Sequence, residues 1–266
     1  MTRDARFREL FGELRARFSR PPSRETFLQL CGYLVHLWAR YGEQARELAP
    51  YASEGFLNFQ QRVPSALSTD IVPEVLLDDP FMLHGGLLLK AIEHECEWLP
   101  SLRAFEFRDN KARLRSMLAH ADCIAKLQPE NLALSFGNPE EIEPLLDLLD
   151  CQQLATLRIR DARSPEGIEL VWQQLERISG AELCALELSD SRINTREIMR
   201  MLDLTSCRNL THLRVALLAD DYEDDTITLE HASLERLIIE RTWYGMSARA
   251  EYLLRGTYPA LEHITF

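Results

Sequence analysis

A six-residue pattern of apolar residues recurs from about residue 100 to the end of the chain and restricts how the chain can fold. The pattern has leucine or another apolar residue at its first, fourth and sixth places. Its clear copies begin at Leu102, Leu154, Leu183, Leu210, Leu234 and Leu261. The longer stretch LCALELSDSRI shows neither strict alternation nor a helical spacing throughout its length. We therefore interpret each copy as the short strand of a repeating unit.

A seventh copy lies in the segment PENLALSF, where the register is ambiguous. A proline stands two residues before the first place at Pro100 and at Pro259. Aligning Pro129 with these two prolines puts Leu134 in the fourth place. With this choice, successive fourth-place residues are separated by 29, 23, 29, 27, 24 and 27 residues. Spacing this regular indicates a repeat protein.

Helix start signals lie between successive strands. Asn138 and Ser164 each precede a proline, as an N-cap and a first helical residue do, and Asn194 opens a third such segment. Each unit is therefore predicted to contain a strand, a turn, a helix and a return. Strands joined through helices in this way run parallel, and neighbouring units must stack to bury their apolar edges.

The pattern L-x-x-L-x-L resembles the leucine-rich repeat family, and its helical returns are most similar to the ribonuclease-inhibitor-like class. The resemblance implies an α/β fold, a right-handed solenoid with a parallel sheet on its concave face and helices on its convex face. The family has Asn or Cys at the ninth place; Asn110 fits, whereas Ala162 and Leu218 depart from it. We therefore expect about seven irregular repeats over residues 99–266.

Residues 1–98 lack the repeat and carry helical signals. An apolar stripe from Phe7 to Phe18 ends before Pro22, and Ser23 is placed to cap a second long helix. Because a repeat array exposes apolar ends, we predict that residues 1–98 form an all-helical N-terminal cap. A separate interaction or oligomerisation module is the alternative.

Charge and cysteine content narrow the class of protein. A formal net charge of −12 argues against binding to nucleic acid or to an anionic membrane, both of which need a basic surface. No run approaches the ~18 apolar residues of a membrane-spanning helix, and the first residues lack the apolar core of a signal peptide. The six cysteines are widely spaced, as in a reduced cytoplasmic protein, and the excess of arginine over lysine is typical of high-GC bacteria.

Motifs for catalysis are missing from the sequence. It has no P-loop, no dinucleotide-binding glycine motif, no H-E-x-x-H and no G-x-S-x-G. The segment HECE, residues 94–97, contains metal-ligand types, but on a helix they would point to different faces. We therefore expect a protein that is not an enzyme and has no metal and no cofactor.

The third, fifth and seventh places of the repeat strands carry the candidate binding residues. These places alternate with the buried ones and are predicted to lie on the concave sheet face. The candidates are Glu106, Arg108, Arg158, Arg160, Glu187, His212, Arg214, Arg236, Glu240 and His263. Two interpretations stay open. The charges pair across neighbouring strands, or the arginines make bidentate contacts with an acidic patch on a peptide or protein.

The best hypothesis from sequence is a non-catalytic module that binds a protein or peptide partner on the concave face. One alternative is a structural subunit that self-associates through the edge of its C-terminal strand, since Phe266 stands in the sixth place of the last copy. Another is an inhibitor or immunity-type protein whose acidic exterior occupies a basic enzyme.

Overall fold

The structure, a computed structural model, describes residues 3–61, 81–107, 111–135, 139–162, 164–178, 183–193, 200–217, 231–240, 259–260 and 262–265. Its helices are Arg3–Phe18 (α1), Arg24–Tyr41 (α2), Glu43–Arg46 (α3), Ala49–Gln61 (α4), Gly85–Glu93 (α5), Lys111–Leu118 (α6), Ala121–Ile124 (α7), Pro139–Leu148 (α8) and Pro165–Arg177 (α9). Its strands are Leu83–His84 (β1), Ala104–Phe107 (β2), Asn131–Ser135 (β3), Thr156–Arg160 (β4), Ala185–Ile193 (β5), His212–Leu217 (β6), Arg236–Glu240 (β7) and His263–Thr265 (β8). Every strand pairing recorded among these residues is parallel, which confirms the α/β class.

The first of two compact units comprises Met1–Glu106, Asn110–Pro129 and Leu148–Asp150. Its core is aromatic. The ring centroid of Phe56 lies 5.2 Å from that of Phe18, 6.0 Å from that of Phe27 and 5.3 Å from that of Trp98. The side chain of Ser23 accepts the Thr26 N–H, which confirms the predicted cap of the second helix.

The predicted division at residue 98 falls inside this first unit. Within the region predicted to be all helical, residues 83 and 84 form β1, which pairs with β2 in parallel. Leu83 is in register with Phe105, the fourth-place residue of the first predicted copy. Leu83 therefore occupies the fourth place of a further strand. The sequence pattern did not predict this strand, because β1 is only two residues long. Whether residues 1–98 act as a cap stays a prediction.

The second unit comprises Phe107–Asp109, Glu130–Asp147 and Cys151–Phe266, and its strands β3 to β8 pair in chain order. The fourth-place residues of β4 to β8 are in register as the repeat predicts: Leu157, Leu186, Leu213, Leu237 and Ile264. The side chains that point inward from β4 to β7 are buried: Leu157, Ile159, Leu186, Leu188, Leu213, Val215 and Leu237.

The predicted register of β3 is wrong by two residues. Leu132, not Leu134, pairs with Leu157 and so occupies the fourth place. Pro129 therefore lies three residues before that place, whereas Pro100 lies five residues before Phe105. The position of the proline did not predict the register, because the register depends on backbone pairing. In that pairing, the Glu130 carbonyl accepts the N–H groups of Ala155 and Thr156 in the next repeat.

One backbone hydrogen-bond arrangement recurs just before the strands of the second unit. The carbonyl of a second-place residue accepts N–H groups from the second and third places of the following repeat, with N···O distances of 2.8 to 3.1 Å. The accepting carbonyls are those of Glu130, Ala155, Cys184 and Thr211. The same bonds therefore connect each of these units to the next. Because they join equivalent places of the sequence pattern, they keep the neighbouring strands in register.

The predicted helix at Ser164 is confirmed as α9. The Ser164 hydroxyl accepts the Gly167 N–H at 3.0 Å, and Pro165 occupies the first helical position. The helix predicted after Asn138 is confirmed as α8, although Asn138 and Asn194 themselves lie outside the described residues.

Candidate functional site

The third and fifth places of β4 to β7 lie on one face of the sheet, because successive side chains of a strand point to opposite faces. This face is uneven in its exposure. The β4 and β5 residues at these places are buried, namely Thr156, Arg158, Ala185 and Glu187. The corresponding residues of β6 and β7 are partly exposed, namely His212, Arg214, Arg236 and Ile238.

Arg158 and Glu187 form a buried ion pair between β4 and β5. They are in register, and the Arg158 Nε donates to the Glu187 Oε2 at 2.9 Å. Their side chains are only 7% and 3% exposed. The interpretation that charges pair across strands is therefore confirmed for these two residues. Neither side chain is available to a partner in this structure, although both were predicted to lie on an open face.

His212, Arg214 and Arg236 form what we call the basic cluster. His212 and Arg236 are in register on β6 and β7, and Arg214 lies two residues along β6 from His212 on the same face. Paired strands are about 4.8 Å apart, and residues two apart in a strand are separated by about 6.6 Å. The three side chains are thus close enough to contact a single group on a partner.

The environment of His212 disfavours its charged form. Burial lowers the pKa of His212 from its ordinary 6.5, the Arg236 guanidinium lowers it further, and the Glu235 carboxylate partly opposes them. The Nδ1 of His212 lies 2.7 Å from the Thr211 hydroxyl. Burial and the Arg236 guanidinium therefore both favour the neutral imidazole.

The structure places the remaining predicted residues as follows. Glu106 is buried in β2, and Arg160 is partly exposed at the end of β4. Glu240 and His263 are described by their backbones alone, in register with Ala216 and Arg236. Arg108 lies outside the described residues.

Asp161 is a structural residue that the sequence analysis missed. Its backbone has a left-handed conformation (φ 61°), which Asp tolerates better than most residues do. Its Oδ2 accepts the Ser135 hydroxyl at 3.2 Å, and its N–H donates to the Ser189 carbonyl at 3.3 Å. Asp161 therefore connects the ends of β3, β4 and β5. A short acidic residue directly after a strand was the available signal.

Raised thiol pKa values and the lack of a metal-ligand cluster characterise the residues that the structure describes. All six cysteines are free thiols, and burial raises the pKa of Cys207 to about 11 and that of Cys96 to about 12. Thiols with such values stay protonated near neutral pH and are poor nucleophiles. No group of three or more potential metal ligands occurs in the part of the chain that the structure describes.

A cavity of about 460 Å³ in the first unit is lined by Glu95, Cys96, Glu97, Pro100, Ala119, His120, Ala121, Asp122, Cys123 and Lys126. Three of its lining residues, Glu95, Cys96 and Glu97, belong to the segment HECE. This segment was predicted to lie on a helix, but α5 ends at Glu93 and Glu95 has a positive φ of 48°.

Among the described residues, no helix has the length and apolar character needed to cross a membrane.

A scan against protein-family models finds no match, and comparisons with curated proteins and with solved structures find none either.

Proposed function

We propose that this chain is a leucine-rich-repeat protein that recognises another protein through its repeat sheet and has no catalytic activity of its own. Its partner presents an acidic group to the basic cluster, and the complex forms in the cytoplasm. The observation that carries the proposal is the contrast in exposure along one sheet face. Arg158 and Glu187 neutralise each other in a buried pair, while His212, Arg214 and Arg236 stay partly exposed.

Charge supports this choice of surface. The chain has a formal net charge of −12, yet two arginines and a histidine stand together on adjacent strands. A local charge opposite to that of the rest of the molecule steers an oppositely charged partner and orients it. Arginine adds directional recognition, since its planar guanidinium can bind a carboxylate or phosphate through two hydrogen bonds.

The repeat architecture is supported by the second-place carbonyls. Glu130, Ala155, Cys184 and Thr211 each accept bonds from the next unit in the same way. An array in which each unit contacts its neighbour through one recurring arrangement is the defining feature of a solenoid. The partly exposed outward residues of two consecutive strands, β6 and β7, then provide the recognition surface.

The proposal is tested by capturing partners from a lysate of the native host. The wild-type chain is compared with the variant Arg214→Ala/Arg236→Ala. The matched control is Arg24→Ala/Arg208→Ala, which removes the same charge from two exposed arginines elsewhere. Melting curves establish beforehand that all three proteins fold. We do not alter Arg158, because its loss would leave Glu187 buried without its partner.

A protein that is retained by wild type and by the control, and lost by the cluster variant, supports the proposal. A protein retained equally by all three excludes the basic cluster as its binding site. If the chain captures only itself, self-association replaces partner recognition as the leading function.

A further inference from the structure

We propose that the basic cluster is a site for a dianionic oxyanion, a phosphomonoester carried by the partner, and that His212 gains a proton at Nε2 when this group binds. The inference depends on the proposed function for the partner that carries the group. The site itself is testable with a small anion alone.

The hydrogen bonds of Thr211 determine which imidazole nitrogen can gain the proton. The Thr211 hydroxyl donates to the Cys184 carbonyl at 3.0 Å, and a carbonyl can only accept. The same carbonyl also accepts the N–H groups of Thr211 and His212. With the single hydroxyl hydrogen assigned to this carbonyl, the Thr211 oxygen accepts from the Nδ1 of His212, 2.7 Å away. Nδ1 therefore carries the hydrogen in the neutral ring. Nε2 has the lone pair, and it is the atom that a proton can join.

The charged residues around His212 make its protonation dependent on an anion. Arg236 faces it from β7, and Arg214 lies on the same face of β6. Glu235 precedes Arg236 and is exposed. On β5, the register partner of His212 is Ala185, and Glu187, the register partner of Arg214, is hydrogen-bonded to Arg158. Without a ligand, imidazolium would stand beside a guanidinium, so the neutral ring is favoured. An oxyanion between the two reverses that balance.

Charge complementarity favours a dianion over a single carboxylate. Arg214 and Arg236 carry two positive charges on adjacent strands, and a protonated His212 adds a third. A phosphomonoester carries about −1.5 to −2 at neutral pH and three acceptor oxygens, which suits donors that approach from two strands. A carboxylate would neutralise only one of these charges, and one guanidinium is enough to bind it through both oxygens.

The test uses sulfate as the probe, because its charge stays constant across the range in which histidine titrates. NMR titration of the ¹⁵N-labelled full chain follows the tautomer and protonation of each imidazole, and His212→Gln identifies the His212 signal. Chloride at equal ionic strength is the reference, and acetate is the carboxylate probe. Affinity for sulfate is measured from about pH 7.5 to about pH 5.5, the range that spans histidine titration.

We expect Nδ1–H in the free neutral ring and a rise of about one pH unit in the pKa of His212 at saturating sulfate. Sulfate should then bind about fivefold more tightly at about pH 5.5 than at about pH 7.5, because a one-unit shift reaches tenfold only when the ring changes from fully neutral to fully protonated. His212→Gln should remove the pH dependence, and Arg236→Gln should abolish binding, whereas Arg24→Gln should change neither. Melting curves check that each variant folds. If a variant does not fold, the titration of the wild-type chain still tests the inference.

Three results would each overturn the inference: sulfate leaves the His212 titration unchanged, sulfate affinity is independent of pH, or acetate shifts the titration as much as sulfate does. Failure here is separable from failure of the proposed function. If the cluster variant loses its partner while sulfate does not bind, recognition stands and the proton-linked site falls. If sulfate binds with proton uptake while no partner depends on the basic cluster, the proton-linked site stands and partner recognition through the cluster falls.

Discussion

Replacing Arg158 by methionine would remove the guanidinium that is hydrogen-bonded to the buried Glu187 carboxylate. The two side chains are 7% and 3% exposed and are joined by a 2.9 Å hydrogen bond, so solvent cannot replace the guanidinium. Removing one partner of such a pair costs about 3–5 kcal/mol, because the remaining charge has lost its compensation. We therefore expect Arg158→Met to lower the free energy of unfolding by about 3 kcal/mol or more.

A matched control is provided by the ion pair between Arg177 and Asp147. Its N···O distance is 2.7 Å, but the side chains are 41% and 66% exposed. Exposed pairs contribute about 0.2–1 kcal/mol, so Arg177→Met should cost at most about 1 kcal/mol. The double variant Arg158→Met/Glu187→Leu, which removes both buried charges, should be close to wild type or more stable.

Urea unfolding followed by circular dichroism measures all of these variants without the salt effect of guanidinium. Near-equal costs for Arg158→Met and Arg177→Met would refute the reasoning. Such a result would mean that water reaches the Arg158 and Glu187 side chains, and that the face of β4 and β5 is as open as that of β6 and β7.

Three further predictions concern packing, capping and pH. Gly55→Ala would place a methyl carbon 2.5 Å from the Phe18 ring and should cost about 1–3 kcal/mol in urea unfolding, whereas Gly12→Ala, with nothing within 4 Å, should be neutral or stabilising. Ser164→Ala removes the cap of α9 and should cost about 1 kcal/mol by the same measurement; no loss would show that water replaces the cap equally well. Because burial lowers the pKa of His212 in the folded state, the unfolded chain binds more protons below its ordinary 6.5. Stability should therefore fall as pH drops through that region, and should fall less in His212→Gln; equal slopes would contradict the assignment.

The strands and helices of the repeat could be predicted because their signals are local. Alternating apolar places marked Leu157, Leu186 and Leu213 as inward residues, and a serine followed by proline marked the start of α9. The register of β3 could not be predicted in the same way. Both Leu132 and Leu134 satisfy the apolar alternation, and only pairing with β4 distinguishes them.

The candidate site was predictable in composition but not in exposure. Alternation assigns Arg158, Glu187, Arg214 and Arg236 to one face, and the structure agrees. Alternation does not say what packs on that face, and burial of the first two depends on contacts distant in sequence. The role of Thr211 was equally hidden, since it depends on a carbonyl 27 residues earlier in the chain.

Hydrogen–deuterium exchange of the chain with and without its captured partner tests the proposed recognition surface most directly. We predict that the partner slows exchange in residues 211–217 and 234–240, which contain the basic cluster, and that Arg214→Ala/Arg236→Ala abolishes this protection. Protection confined to α1, α2 and α4 of the first unit, with β6 and β7 unchanged, would contradict the account.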